Sequence, residues 1–110
     1  MKISFDFDGT LTSNPQLFRQ ITSAFSANGD DLFVISGRRT SKPIEQFLEE
    51  HDFPQMEIQT QDRLMGNGKT GTIDQLGIDL HFDNNPAVAD AVSSEVFLVG
   101  QKPRTFGEVK

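Results

Sequence analysis

The chain contains no cysteine, no tryptophan and no tyrosine among its 110 residues. Without cysteine it builds no disulfide framework, thiolate metal site or thiol nucleophile, which fits a reducing compartment. No apolar run approaches the roughly 20 residues of a membrane span. Asp6 and Asp8 fall within the first eight residues, where a signal peptide carries cations and then apolar residues. These absences lead us to expect a soluble, cytoplasmic protein with no membrane partner. Cations are in the minority, 10 Lys and Arg against 16 Asp and Glu. The net charge of −6 argues against broad nucleic-acid binding through a basic face, though not against contact with one phosphorylated end.

Hydrophobic residues make up only 35% of the chain, but they are gathered in short runs, and ten Phe supply the bulk. At this length the chain holds one core and is too small for two, so residues 1–110 are expected to form a single domain. Ile3, Phe5 and Phe7 alternate with Ser4, Asp6 and Asp8, the period of a β-strand that breaks at Gly9. The alternation sets Asp6 and Asp8 on one side of the strand's carboxyl end. Two carboxylates held that close repel each other, and a divalent cation or a shared catalytic proton relieves the repulsion.

Further along, Asn14-Pro15 starts a helix with a stripe of Leu17, Phe18, Ile21, Ala24 and Phe25, closed by Asn28-Gly29. Leu32 to Ile35 is a continuous apolar run, as expected of a parallel strand covered on both faces. Ser41 and Pro43 open a second helix whose Ile44, Phe47 and Leu48 face inward. Met56 to Thr60 reads as a weak strand near an edge, and Gln61 to Gly68 as a polar loop. A short helix spans Thr70 to Leu76, and strand alternation resumes from Ile78 to Asp83. Asn85-Pro86 starts a last helix, Val96 to Val99 forms a last strand, and Gly100 to Lys110 has no periodicity. Alternating strands and helices predict an α/β fold: a Rossmann-like three-layer sandwich with a parallel sheet of about five strands. In such sheets ligands bind beyond the carboxyl ends of the strands, where the strand order reverses.

Four clusters end up at that edge. The first is Asp6-Phe7-Asp8-Gly9-Thr10-Leu11-Thr12. Ser36-Gly37 follows the second strand and offers a hydroxyl and a backbone N–H to a phosphate oxygen, with Arg38, Arg39 and Lys42 beside it. Lys69 opens the short helix, fourteen positions before Asp83. Asp83-Asn84-Asn85-Pro86 ends the fourth strand. His81 is expected to pack or hydrogen-bond on the strand face opposite Ile78, Leu80 and Phe82, and is not assigned as a ligand.

In order and spacing these clusters resemble the four motifs of the haloacid dehalogenase superfamily, mostly Mg²⁺-dependent phosphohydrolases. The resemblance spans nearly the whole chain, and only the first motif is highly specific by itself. It implies Asp6 as nucleophile, forming an aspartyl phosphate, and Asp8 as general acid and base, kept protonated by the crowding of Asp6. It further implies that Thr10, Ser36, Gly37 and Lys69 bind the substrate phosphate, and that Asp6, Asp8 and Asp83 hold Mg²⁺. Many members carry an acid where this chain has Asn84, which can still hold a metal-bound water. No room exists for the cap domain of many members, since only Gly9 to Asn14 separate the first strand from its helix. The implied partner is a phosphorylated small molecule or a phosphate exposed on a macromolecule, with a homo-oligomer as one way to close the site. Two alternatives remain: a receiver-like signalling module, whose phosphoacceptor Asp is replaced here by Thr60 and Gln61, and a catalytically idle binding protein of the same fold.

Overall fold

The strand that shows how the layers are built is Asp31–Ile35, in which all four apolar residues are buried. Leu32 and Val34 join one apolar cluster, whereas Phe33 and Ile35 join a second. Successive side chains of a strand point to opposite faces, so these two clusters are the two sides of one sheet. The computed structural model describes residues 1–62 and 68–100. Its strands are β1 (Lys2–Phe5), β2 (Asp31–Ile35), β3 (Glu57–Gln59), β4 (Leu80–Asp83) and β5 (Glu95–Leu98). Its helices are α1 (Pro15–Ala27), α2 (Lys42–Glu50), α3 (Gly68–Leu76) and α4 (Pro86–Ala91), with a turn of 3-10 helix at Leu11–Ser13.

All five strands are parallel, in the order β3-β2-β1-β4-β5. Phe18, Ile21 and Phe25 of α1 and Ile44, Phe47 and Leu48 of α2 cover one face. Ile73 and Leu76 of α3 and Val88 of α4 cover the other. The protein is therefore an α/β, Rossmann-like, three-layer sandwich. The chain runs outward from β1 to β3, then returns to lay β4 against the free side of β1. The order reverses between β1 and β4, and their carboxyl ends flank the crevice such sheets use for ligands.

Local chemistry explains the helix starts. The Asn14 side chain accepts the Leu17 N–H at 3.2 Å with Pro15 at the first helical position. The Asn85 side chain does the same for Ala87 at 3.0 Å, ahead of Pro86. Several details differ from expectation, among them the start of β4 at Leu80 rather than Ile78. β1 ends at Phe5, although the Asp6 N–H still reaches the Phe82 carbonyl at 2.8 Å. Leu17 is 45% exposed and Ala24 is exposed too, whereas Thr22, outside the expected stripe, is buried with its hydroxyl on the Phe18 carbonyl at 2.7 Å. The third helix begins at Gly68, two residues before the expected Thr70. Residues 63–67 of the polar loop and 101–110 of the tail lie outside the described residues. Among the described residues no helix is long and apolar enough to cross a membrane.

The larger cluster is held by aromatic contact at the centre of the sheet. The Phe5 ring, fully buried, stacks on Phe82 of the neighbouring strand at 4.8 Å and meets the edge of Phe18 at 6.1 Å. Truncating a large buried aromatic forfeits transfer energy and leaves a cavity. Phe5→Ala should therefore lower unfolding free energy by about 3–5 kcal/mol in urea denaturation; a loss below about 1 kcal/mol would contradict this packing.

Candidate functional site

The end of β4 presents Asp83, fully buried, and the end of β1 presents Asp6, nearly so. Because β1 and β4 are paired neighbours, the two carboxylates face the same crevice. Lys69, in the first turn of α3, places its Nζ 2.7 Å from Asp6 Oδ1 and 2.7 Å from Asp83 Oδ2. The remaining carboxylate oxygens are also occupied. Asp83 Oδ1 accepts the Asn85 N–H at 3.0 Å, and the Thr10 hydroxyl approaches Asp6 Oδ2 at 3.4 Å. With its amide nitrogen turned inward, Asn84 donates to Asp6 Oδ2 at 3.0 Å and to Asp83 Oδ1 at 3.3 Å.

Gly9 makes this arrangement sterically possible. Its φ is +80°, in the left-handed region, and a Cβ there would stand 2.3 Å from the amide end of the Asn84 side chain. The turn after β1 thus lies directly on the loop after β4. Gly37 differs, since nothing lies within 4 Å of where its Cβ would be, so packing does not require glycine there. Ser36, buried at the tip of β2, accepts the Arg38 N–H on its Oγ at 3.1 Å.

Asp8 does not join the pair. Its side chain is 56% exposed and bound two-pronged by Arg38, Nε to Oδ2 and Nη2 to Oδ1, both at 2.8 Å. The expected convergence of three acidic side chains is thus corrected to two, Asp6 and Asp83. Among the described residues no three His, Cys, Asp or Glu side chains come together as a metal-binding group. Two things set Asp8 apart: β1 ends at Phe5, so Asp8 lies in the turn that follows rather than on the strand, and Arg38 offers it a fork matched to a carboxylate. The expected crowding of Asp8 by Asp6 is corrected as well. Hydrogen bonding from Arg38 holds the Asp8 carboxyl below the ordinary range, whereas it is Asp6 that burial pushes up.

Two residues outside the expected set complete the site. Fully buried His81 places Nε2 2.8 Å from Asp83 Oδ2 and Nδ1 2.6 Å from the hydroxyl of Ser4, its register partner on β1. An ionised Asp83 only accepts, so His81 Nε2 carries a proton toward it, while Nδ1 meets the Ser4 hydroxyl. The signal lay in the period of two: Ser4 and Asp6 share one face of β1, as His81 and Asp83 share one face of β4. Burial pushes the Asp83 carboxyl up, but hydrogen bonds from His81 and Lys69, the Lys69 charge and the Asn85 amide together hold it at about 2.

The donor set fits a hard divalent cation in part. Two carboxylates on adjacent strand tips are the oxygen ligands Mg²⁺ takes from a protein when substrate phosphate and water supply the rest. Asp6, Asp83 and Lys69 together leave one negative charge, which a further cation would offset. In this structure the Lys69 ammonium occupies the position between the carboxylates.

The sequence matches no protein-family model and no curated protein. Among solved structures, a universal stress protein in complex with cAMP has a similar fold, with a TM-score of 0.58 and 17% identity. That match covers 90% of this chain and 95% of the other. A chain of a Pnkp1/Rnl/Hen1 complex matches with a TM-score of 0.62 and 18% identity over 89% of this chain. There the match spans only 45% of the other chain. At these identities the likeness establishes the fold alone.

The depressed Asp83 value sets a sign for pH dependence. Its stabilising contribution is complete above the unfolded carboxylate value of 3.8 and is lost as pH falls toward 2. Asp6, shifted upward, contributes with the opposite sign. The stability advantage of the wild type over Asp83→Asn should therefore shrink by about 2 kcal/mol between about pH 5 and about pH 2. Urea unfolding of both proteins across that range measures it, and a constant difference would contradict the assigned contacts.

Proposed function

We propose that the chain is a Mg²⁺-dependent phosphomonoesterase that works through an aspartyl phosphate on Asp6. The observation that carries this reading is the Lys69 ammonium held 2.7 Å from both Asp6 and Asp83, at the point where the strand order reverses. Stability alone does not account for it. Each Lys69–carboxylate attraction is on the order of 5 kcal/mol at an effective dielectric of about 20. Burying each of the three ions costs several kcal/mol, so the cluster gains little net stability. An expensive charged cluster in a crevice is a candidate for chemistry.

Asp6 attacks the phosphorus in line, forming one carboxylate–phosphorus bond while the ester P–O bond breaks. Asp8, protonated, gives its proton to the leaving oxygen, then takes one from the water that cleaves the acyl phosphate. Inorganic phosphate leaves and the Asp6 carboxylate is restored. To serve in this way Asp8 separates from Arg38 and acquires a proton. Ser36 accepts the Arg38 N–H, which leaves its own O–H for a phosphate oxygen, and Gly37 follows it in the same loop. Lys69 keeps charge on the transferring group stabilised as it spreads from Asp6. Asp6, Asp83 and the Asp8 backbone carbonyl would hold Mg²⁺, which would supply positive charge against the repulsion between carboxylate and phosphate. The charge balance supports such a need, because a phosphate dianion would otherwise meet a site already negative by one.

The connection from β1 to α1 spans only residues 6–14, with no domain inserted there, so the crevice lies open on that side. An open crevice suits a phosphate presented by a larger molecule, or a small substrate in an oligomer that covers it. Asp6→Asn should abolish Mg²⁺-dependent phosphate release, a loss on the order of 10³-fold or more, with the far-UV circular dichroism unchanged. Chelation should do the same to the wild type, reversibly. Undiminished turnover by Asp6→Asn would exclude Asp6 as the nucleophile.

A further inference from the structure

The Arg38–Asp8 pair poses a problem for any proton transfer by Asp8, and its geometry suggests a use. Both prongs of the guanidinium rest on one carboxylate, and the guanidinium carbon lies 5.4 Å from the centroid of the Phe7 ring. The backbone beneath it is fixed, with the Arg38 N–H on Ser36 Oγ and its carbonyl accepting the Gln61 N–H at 2.8 Å. Yet the pair is open to solvent, 44% for the Arg38 side chain and 56% for that of Asp8. Exposed ion pairs contribute little, about 0–1 kcal/mol, so this one separates readily. A second anion of fork-matching shape competes directly for the same guanidinium, and phosphate is such an anion. Exposed Arg39 and Lys42 follow in the same loop and helix start, and neither makes a salt bridge among the described residues.

We propose that Arg38 is a specificity-determining residue that exchanges Asp8 for a second phosphate on the substrate. The preferred substrate class is then a phosphomonoester that carries another phosphoryl group. This rests on the phosphohydrolase reading for its catalytic part, but the exchange itself is a binding event. No bond other than the ion pair changes. The second phosphate takes the guanidinium, and Asp8 is released toward the scissile ester.

The test compares adenosine 3′,5′-bisphosphate with adenosine 5′-monophosphate as substrates, in the wild type and in Arg38→Met. The wild type should favour the bisphosphate in kcat/KM by about tenfold or more, the worth of one charge-assisted contact. Arg38→Met, an exposed change that leaves the core untouched, should erase that preference while still turning over the monophosphate. Equal kcat/KM for both substrates in the wild type, or a preference that survives in Arg38→Met, would overturn the proposal. Calorimetric binding of pyrophosphate against inorganic phosphate separates the two readings. If nothing is hydrolysed but pyrophosphate binds more tightly than phosphate through Arg38, the phosphohydrolase reading fails and the Arg38 subsite stands. If turnover is normal and Arg38→Met leaves pyrophosphate binding unchanged, the subsite fails and the phosphohydrolase reading stands.

Discussion

Two like charges brought together at adjacent strand tips are offset by one ammonium that lies between them. Asp6 and Asp83 both depend on Lys69, and the rest of the molecule makes that meeting possible. The β1–β4 pairing brings the acids side by side, and the reversal of strand order leaves a crevice above them. The first turn of α3 delivers the cation from the opposite side of the site. Gly9 then lets the loop after β1 press onto Asn84, which bridges the two acids.

The two acids are not equivalent. Asp83 is enclosed by donors, with His81 and Ser4 extending its hydrogen bonds into the sheet, and it is held as a permanent anion. At Asp6 the cost of burial outweighs the contacts from Lys69 and the Phe7 amide, which raises its carboxyl above the ordinary value. One carboxylate is thus fixed as an anchor for positive charge, and the other is the more basic. That division of labour is what covalent transfer to Asp6 would need. Asp8 stands apart, exposed and bound to Arg38, so the acid–base partner of the proposed reaction would begin outside the buried cluster.

Much of this is legible in the sequence. The Asn-Pro helix starts and the apolar run at Leu32 follow from local rules and hold within a residue or two, whereas the strand alternation of Ile3 to Asp8 holds only as far as Phe5, with Asp8 already in the following turn. The site was legible where it depends on strand ends, because a period of two fixes which side Asp6 and Asp83 face. It was not legible where side chains choose among partners. Spacing placed Asp8 beside Asp6 but could not reveal that Arg38, thirty residues away, offers a better-matched fork. The Ser4–His81 contact depends on register between strands seventy-seven residues apart, which no local pattern encodes. Leu17 went astray for a related reason, since α1 buries Thr22 by bonding its hydroxyl to the preceding turn.

The most direct measurement is the site of covalent phosphorylation. The protein is mixed with a radiolabelled phosphomonoester and Mg²⁺, quenched in acid within milliseconds to seconds, digested, and the labelled peptide sequenced by mass spectrometry. A phosphoryl group on Asp6, formed and lost at the rate of turnover, is the result expected if Lys69 and Asp83 serve a nucleophile at the tip of β1. Label on any other residue, or turnover with no acid-stable label at all, would contradict it.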